Sequence, residues 1–192
     1  FYKNLHPNKI KVLHNKKNRG VSYSRNLGIK AANGNYIAFL DADDEWSPNK
    51  IKHQLSVMKK KKISFLHGSY NIVDEENRVV GCFKAQNEDY KSLMNSCDIG
   101  LSTVIMTSHL CKSYEFENIS TKEDYIQWLK ISKKLEVLFG DDKIVSQYRK
   151  KNFSLSSNFI LKFINAYKVY FYYEKKNFLV NFFLLFNLSF FW

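Results

Sequence analysis

Three carboxylates, Asp41, Asp43 and Asp44, stand directly behind a short apolar run, Tyr36–Leu40, in the stretch NYIAFLDADDEW. Acids this close repel one another. They become favourable when a hard divalent cation lies between them and a second anion such as a diphosphate. A solvated turn or a helix cap is the plainer use of the same residues. The run before them suits a central strand of a parallel sheet, covered on both faces. Open α/β sheets take ligands at the carboxyl ends of their strands, which is where these acids stand.

The surrounding register narrows the choice. Asn18, Gly20, Ser24-Arg25-Asn26, Gly28, Ala32, Gly34, the run Tyr36–Leu40, Asp41-Ala42-Asp43-Asp44 and Trp46-Ser47-Pro48 follow one pattern in order and spacing. They resemble the N-x-G…A-R-N-x-G…G-x-Y-I-x-F-L-D-x-D-D-x-W-x-P signature of family-2 glycosyltransferases of the GT-A fold. Ser24 departs from it, where the family often has Ala. The likeness is dense over Asn18–Gln54 and sparser to about Asn158. It implies an α/β fold: a GT-A-like mixed central sheet flanked by helices, with a helical C-terminal tail.

The resemblance also implies roles. Asp43 is the first metal ligand, with Asp44 beside it, and Mn2+ or Mg2+ suits such oxygen donors. Asp41 and Asp43 fall among the donor contacts with Arg25 and Asn26. The family's Arg of A-R-N lies near the nucleotide base or diphosphate; an exposed helical arginine is the alternative for Arg25. Asn18 and Asn26 also suit fixing the local backbone. Lys122-Glu123-Asp124-Tyr125-x-x-Trp128-Leu129 resembles the family's E-D-Y-x-x-W-L segment. There an acid at a helix start faces the acceptor, so the general base falls on Asp124, with Glu123 second. A helix start by itself lowers a carboxyl pKa. Tyr148-Arg149 resembles a late Y-R segment, where Arg149 reaches a phosphate or simply lies at a sheet edge. Trp46 either lines the sugar pocket or packs its turn.

The elements that must position these residues are legible in part. Lys9–Asn15 alternates as a strand, Ser22–Ala32 is a helix capped by Ser22, and Tyr36–Leu40 completes a β-α-β unit with parallel strands. Ser47-Pro48 reads as the cap and first residue of a helix. Ile51, Leu55 and Met58 form its apolar face and Lys59–Lys62 its end. Ile63–Val73 and Arg78–Phe83 form a hairpin around Asp74–Asn77. Asn87–Asn95 is a short helix and Ser102–Met106 a strand. Ser120–Lys134 is a helix opened by a Ser120-x-x-Glu123 capping box. Leu135–Phe139 and Lys143–Arg149 read as two strands around a turn at Gly140-Asp141-Asp142.

With 192 residues the chain is long enough for a sizeable core. Its net charge of +12 suits an anionic partner: a nucleotide diphosphate, an acidic membrane surface or nucleic acid. Nucleic acid rests on charge alone and is set aside. Cys82, Cys97 and Cys111 have no metal-ligand spacing and read as reduced thiols in a cytosolic protein. The family's opening V-S-V-I-I-P-x-Y-N segment is not found, so the first strand and helix are expected to be missing. The organisation expected is a transferase domain over 1–157 and a hydrophobic, basic tail over 158–192. That tail ends in NFLVNFFLLFNLSFFW behind Lys175-Lys176, which suits peripheral attachment to an anionic membrane surface, at the inner face of the cytoplasmic membrane.

Taken with these features, the resemblance implies a hexosyltransferase. It would be an inverting, metal-dependent enzyme moving a sugar from a nucleotide diphosphate sugar to a glycan or lipid-linked acceptor. Its setting would be cell-surface polysaccharide or lipooligosaccharide synthesis. The alternative is a non-catalytic nucleotide-sugar-binding or membrane-associated subunit with a degenerate GT-A fold. A nucleotidyltransferase should show a Gly-rich phosphate loop, and none is seen.

Overall fold

The computed structural model describes residues 8–119, 121–150, 164 and 167–174. Helix α1 (Val21–Ala31) leads into β1 (Tyr36–Ala38) and β2 (Glu45–Trp46), then α2 (Lys50–Lys61). The hairpin β3 (Phe65–Val73) and β4 (Val79–Phe83) follows, then β5 (Glu88–Asp89) and α3 (Tyr90–Asn95). A 3-10 turn (Leu101–Thr103), β6 (Ile105–Thr107), α4 (Ser108–Ser113), α5 (Glu123–Leu135), β7 (Val137–Arg149) and a π-helical turn (Val169–Tyr173) complete it. The strands form one seven-stranded mixed sheet in the order β1-β6-β3-β7-β2, with β4 on β3 and β5 on β7.

Several expectations are corrected. Lys9–Asn15 forms no strand. Its side chains are mostly exposed, and without a ladder partner an extended segment stays irregular. The parallel β-α-β unit is therefore absent. β1 is a three-residue strand at the end of the strand order, paired antiparallel to β6 with Ile37 opposite Met106. The one parallel pairing joins β3 to β7. Leu135–Phe139 and Lys143–Arg149 are not two strands around a turn. They are one strand, β7, and Gly140-Asp141-Asp142 sits inside it, where its pairing with β3 is irregular. Ser102 lies in the 3-10 turn and not in a strand. Glu88–Asp89 pair with β7 before α3 begins, capped by Asp89.

Helix starts were misplaced for a common reason: the expected cap side chains bond elsewhere. Gly20, at φ 84°, caps α1, because only glycine takes that left-handed geometry without strain. Ser22 instead lies buried inside α1 and donates its hydroxyl to the Ile119 carbonyl. Ser47 donates its N–H to Val145 O and its hydroxyl to Ile144 O, so α2 opens later, at Lys50. The capping box of α5 does not form. Glu123 is the first helical residue, two positions too early for a box, and its carboxylate is held by Arg25. Ser120 itself lies outside the described residues.

The core lies between the sheet and α5. Tyr125, Ile126, Trp128, Leu129 and Ile131 are buried there, and Trp128 meets Phe65 edge-on at 5.3 Å. Each such side chain contributes about 1.5–3 kcal/mol by leaving water. Val169 and Tyr170 join the same core, and Tyr170 Oη donates to Met94 O. On the other side, Ile51, Leu55 and Met58 of α2 pack toward Leu66 and Ile105 as their spacing predicts. The fully buried line of α2 is rotated by one residue, however: Lys50, Gln54 and Met58.

Candidate active site

The acid stretch is a pinned turn. Asp44 N–H donates to Asp41 O at 3.1 Å, and Asp41 N–H donates to Ser102 Oγ at 3.1 Å. Trp46 Nε1 donates to Phe39 O at 3.1 Å and to Ser102 O at 2.9 Å. One indole thus ties the end of β1 to the 3-10 turn, so Trp46 packs the turn. Asp44 Oδ1 accepts the Arg149 N–H at 3.3 Å, joining the turn to the end of β7. Asp43 is exposed.

Arg25 connects this turn to the start of α5. Its Nη2 meets Asp41 Oδ1 at 2.7 Å, and its Nη1 is bonded to Glu123 Oε1. The ring of Phe116 lies beneath the guanidinium at 5.5 Å. The arginine side chain keeps only 15% of its surface, so it is not the exposed helical residue of the plainer alternative. It brings the acids behind β1 together with Glu123 and Asp124, far along the chain. Asn26 exchanges two hydrogen bonds with the Phe116 backbone, at 2.8 and 2.9 Å. Its amide thereby seats the segment that carries Phe116 under Arg25. Asn18 accepts the Gly20 N–H at 3.0 Å, a purely local contact.

Burial decides the electrostatics. It pushes the Asp44, Glu123 and Asp124 carboxyls up from their ordinary values. The charges of Asp41 and Asp43 add to the rise at Asp44, and that of Asp124 adds to it at Glu123. The Ser102 hydroxyl and the Arg149 N–H oppose the rise at Asp44, the residue's own backbone N–H and Arg25 that at Glu123, and the Tyr125 N–H and the Arg25 charge that at Asp124, without cancelling them. The helix start by itself would lower the Asp124 pKa, and burial reverses that effect. Asp124 does accept the Tyr125 N–H at 2.7 Å, but desolvation outweighs it. At Arg25 burial works against the charge, and Asp41 and Glu123 more than offset it, so its pKa is raised.

Among the described residues no three His, Cys, Asp or Glu side chains are grouped to hold a metal by themselves. A magnesium-type cation keeps waters and takes only one or two carboxylates plus phosphate oxygens. Exposed Asp43 and half-buried Asp44 fit that partial donor set.

Other residues matter that the sequence did not flag. Ser102 supports both Asp41 and, through its carbonyl, Trp46; the only hint was a polar pair inside IGLSTVI. Lys50 is 2% exposed, with Nζ near Gln54 Oε1 (2.5 Å), Thr103 O (3.3 Å) and Val104 O (3.4 Å). Its hint was a lysine in register with Gln54 and Met58. Arg149 pairs with Glu45 at 3.2 Å and donates to Asp74 O at 3.2 Å, at the rim. The cysteines are free thiols, Cys82 exposed and the other two buried.

Residues 1–116 match the family model described as Glycosyl transferase family 2. The chain is 40% identical over 152 residues to the Escherichia coli UDP-Glc:alpha-D-GlcNAc-diphosphoundecaprenol beta-1,3-glucosyltransferase WfgD, covering 78% of this chain and 59% of that protein. It is 30% identical over 169 residues to the putative teichuronic acid biosynthesis glycosyltransferase TuaG of Bacillus subtilis (strain 168), covering 87% of this chain and 66% of the relative. The chain thus spans about three fifths of the length of such relatives. In fold it resembles S. aureus TarS 1-349, crystallised in complex with UDP-GlcNAc, with a TM-score of 0.61 at 18% identity, over 88% of this chain and 53% of that one. The mixed sheet flanked by helices is thereby a GT-A-like fold.

Proposed function

The chain belongs to glycosyltransferase family 2, and on that premise we propose a hexosyltransferase that moves a sugar, with inversion, from a nucleotide diphosphate sugar to a glycan or lipid-linked acceptor. One observation carries the reading: Arg25 joins Asp41, behind β1, to Glu123 at the start of α5, which also carries Asp124. Transfer by single displacement needs a donor site and a base within one sugar's reach, and those are the two groups so joined.

In this reading Arg25, Asn26, Asp41 and Asp43 serve the donor, Arg25 directly and Asn26 by seating its support. Asp43 and Asp44 would hold Mn2+ or Mg2+, which when bound supplies positive charge to the leaving diphosphate. Asp124 takes the proton of the acceptor hydroxyl, with Glu123 as the second candidate. A pKa raised by burial makes it a stronger base near neutral pH than an ordinary aspartate. The acceptor oxygen then attacks the anomeric carbon as the bond to the diphosphate breaks, and the configuration inverts.

The relatives' names support a lipid-linked acceptor and cell-surface polysaccharide or lipooligosaccharide synthesis. We assign the transfer to residues 1–157 and surface attachment to the tail, 158–192; its Val169 and Tyr170 lie in the core, and its hydrophobic end, 177–192, lies outside the described residues. The net charge of +12 supports an anionic membrane surface at the cytoplasmic face as its place of work. No helix among the described residues is long and apolar enough to cross a membrane.

The test is calorimetry of the full-length gene product with UDP-glucose and UDP-N-acetylglucosamine, in Mn2+ and in EDTA, followed by NMR of the product's anomeric configuration. Metal-dependent binding with an inverted product supports the proposal, and retention of configuration overturns the single displacement. Binding without turnover favours the non-catalytic subunit. The Arg25 bridge gives that rival its one support, since it satisfies Asp41 and Glu123 with no ligand.

A further inference from the structure

Beside the acid turn lies an aromatic step that the reading above leaves unused. Tyr70 of β3 and Phe83 of β4 face one another across the hairpin and stack at 5.4 Å, with planes 16° apart. Tyr148 of β7 meets the Tyr70 ring edge-on at 6.3 Å and 69°. Tyr148 is 43% exposed, whereas Tyr70 is half-buried. Gly100 makes room for this arrangement, since a Cβ there would sit 3.4 Å from the Tyr70 ring.

The step is tied to the site through β7: Tyr148 precedes Arg149, whose N–H bonds to Asp44 Oδ1 at 3.3 Å. Gly100, which faces the Tyr70 ring, opens the 3-10 turn whose Ser102 hydroxyl accepts the Asp41 N–H.

An exposed aromatic ring at the edge of a donor site matches one chemical class well. A pyranose presents an apolar C–H face that lies flat on an aromatic ring. We propose that Tyr148, backed by Tyr70 and Phe83 and adjoining the Arg149 that holds Asp44, is a stacking subsite for the acceptor's sugar ring. This rests on the transferase reading. It assigns the acceptor side to the ends of β3 and β7 and leaves the nucleotide to the Arg25 side.

The test is saturation-transfer NMR on the full chain with methyl glycosides of glucose and N-acetylglucosamine as probes, with and without UDP and Mn2+. Tyr148→Ala is expected to weaken glycoside binding about tenfold and to leave UDP affinity unchanged. Tyr148→Phe, which keeps the ring, is expected to restore glycoside binding. Glycoside binding unaffected by Tyr148→Ala overturns the subsite, as does an equal loss of UDP binding or no glycoside binding by the unmodified chain. If the glycoside binds through Tyr148 while UDP never binds, the subsite stands and the transferase reading fails.

Discussion

Two buried cations sit on either side of the acid turn, and the protein treats them in opposite ways. Arg25 is flanked by Asp41 and Glu123, and its pKa is raised. Lys50 is more deeply buried and meets only neutral acceptors: Gln54 Oε1, Thr103 O and Val104 O, with the Trp46 ring at 5.0 Å. Desolvation alone brings its pKa down to about 7. A buried charge with an anion for a partner is locked in its charged form; one held by carbonyls gives up its proton near neutrality. The first arrangement concentrates charge where a donor and a base are needed. The second orders the Thr103–Val104 backbone, next to the Ser102 that supports Asp41. On the proposed reading, chemistry belongs to the arginine side and scaffolding to the lysine side.

The widest gap between the two regions should appear in turnover. Asp124→Asn is expected to leave UDP binding intact and to slow transfer ~10²–10⁴-fold, the usual contribution of a positioned base. Near-normal turnover in a steady-state assay would move the base elsewhere on the arginine side. Arg25→Met comes next. It strands the buried Glu123 carboxylate and frees a partly exposed Asp41, so the loss is expected to fall below the about 3–5 kcal/mol of a fully buried pair. Urea unfolding should show that loss at neutral pH, with part of it recovered in acid as Glu123, whose pKa burial raises, protonates. A loss under about 1 kcal/mol would mean that the pair is held as loosely as a surface bridge.

Asp43→Ala should weaken UDP binding at least about tenfold in Mn2+ and not at all in EDTA, with thermal stability unchanged. Equal affinity in both titrations would remove Asp43 from the metal. Lys50→Met should give the smallest change, ~1 kcal/mol or less at pH 7, because a buried charge is exchanged for an apolar chain of similar length. Its signature is in the pH dependence. The folded Lys50 pKa lies below the unfolded value, so the unfolded chain binds more protons between them. Stability should therefore rise as pH goes from about 7 toward the ordinary lysine value, and be penalised in full below that window. Lys50→Met should flatten this rise relative to the parent chain; an unchanged slope would show that Lys50 titrates normally.

Much of this was legible in the chain. The register from Asn18 to Pro48 identified the family, because residue types at fixed spacings are set by local needs: a left-handed Gly20 before a helix, an apolar run, acids at its end. The hairpin of β3 and β4 and the apolar face of α2 followed from local patterns of residue type. What failed had a shared cause. Ser22, Ser47 and Glu123 are good cap residues in isolation, yet each spends its polar group on a distant partner: Ile119, the β7 backbone, and Arg25. The Tyr36–Leu40 run reads as a central strand from composition alone. Its place at the end of the strand order depends on which segments pair with it, and sequence spacing does not encode that.

The sequence by itself determined which residues could do the chemistry, since that depends on side-chain type and short-range order. Tertiary structure decided which of them work together. Asp41 and Glu123 meet because α1 places one guanidinium between them, and the Asp124 carboxyl pKa rises because folding removes its water. Local spacing predicted a lowered carboxyl at a helix start. Long-range burial reversed the sign, because desolvation acts on a whole charge while a single backbone N–H offsets only part of it.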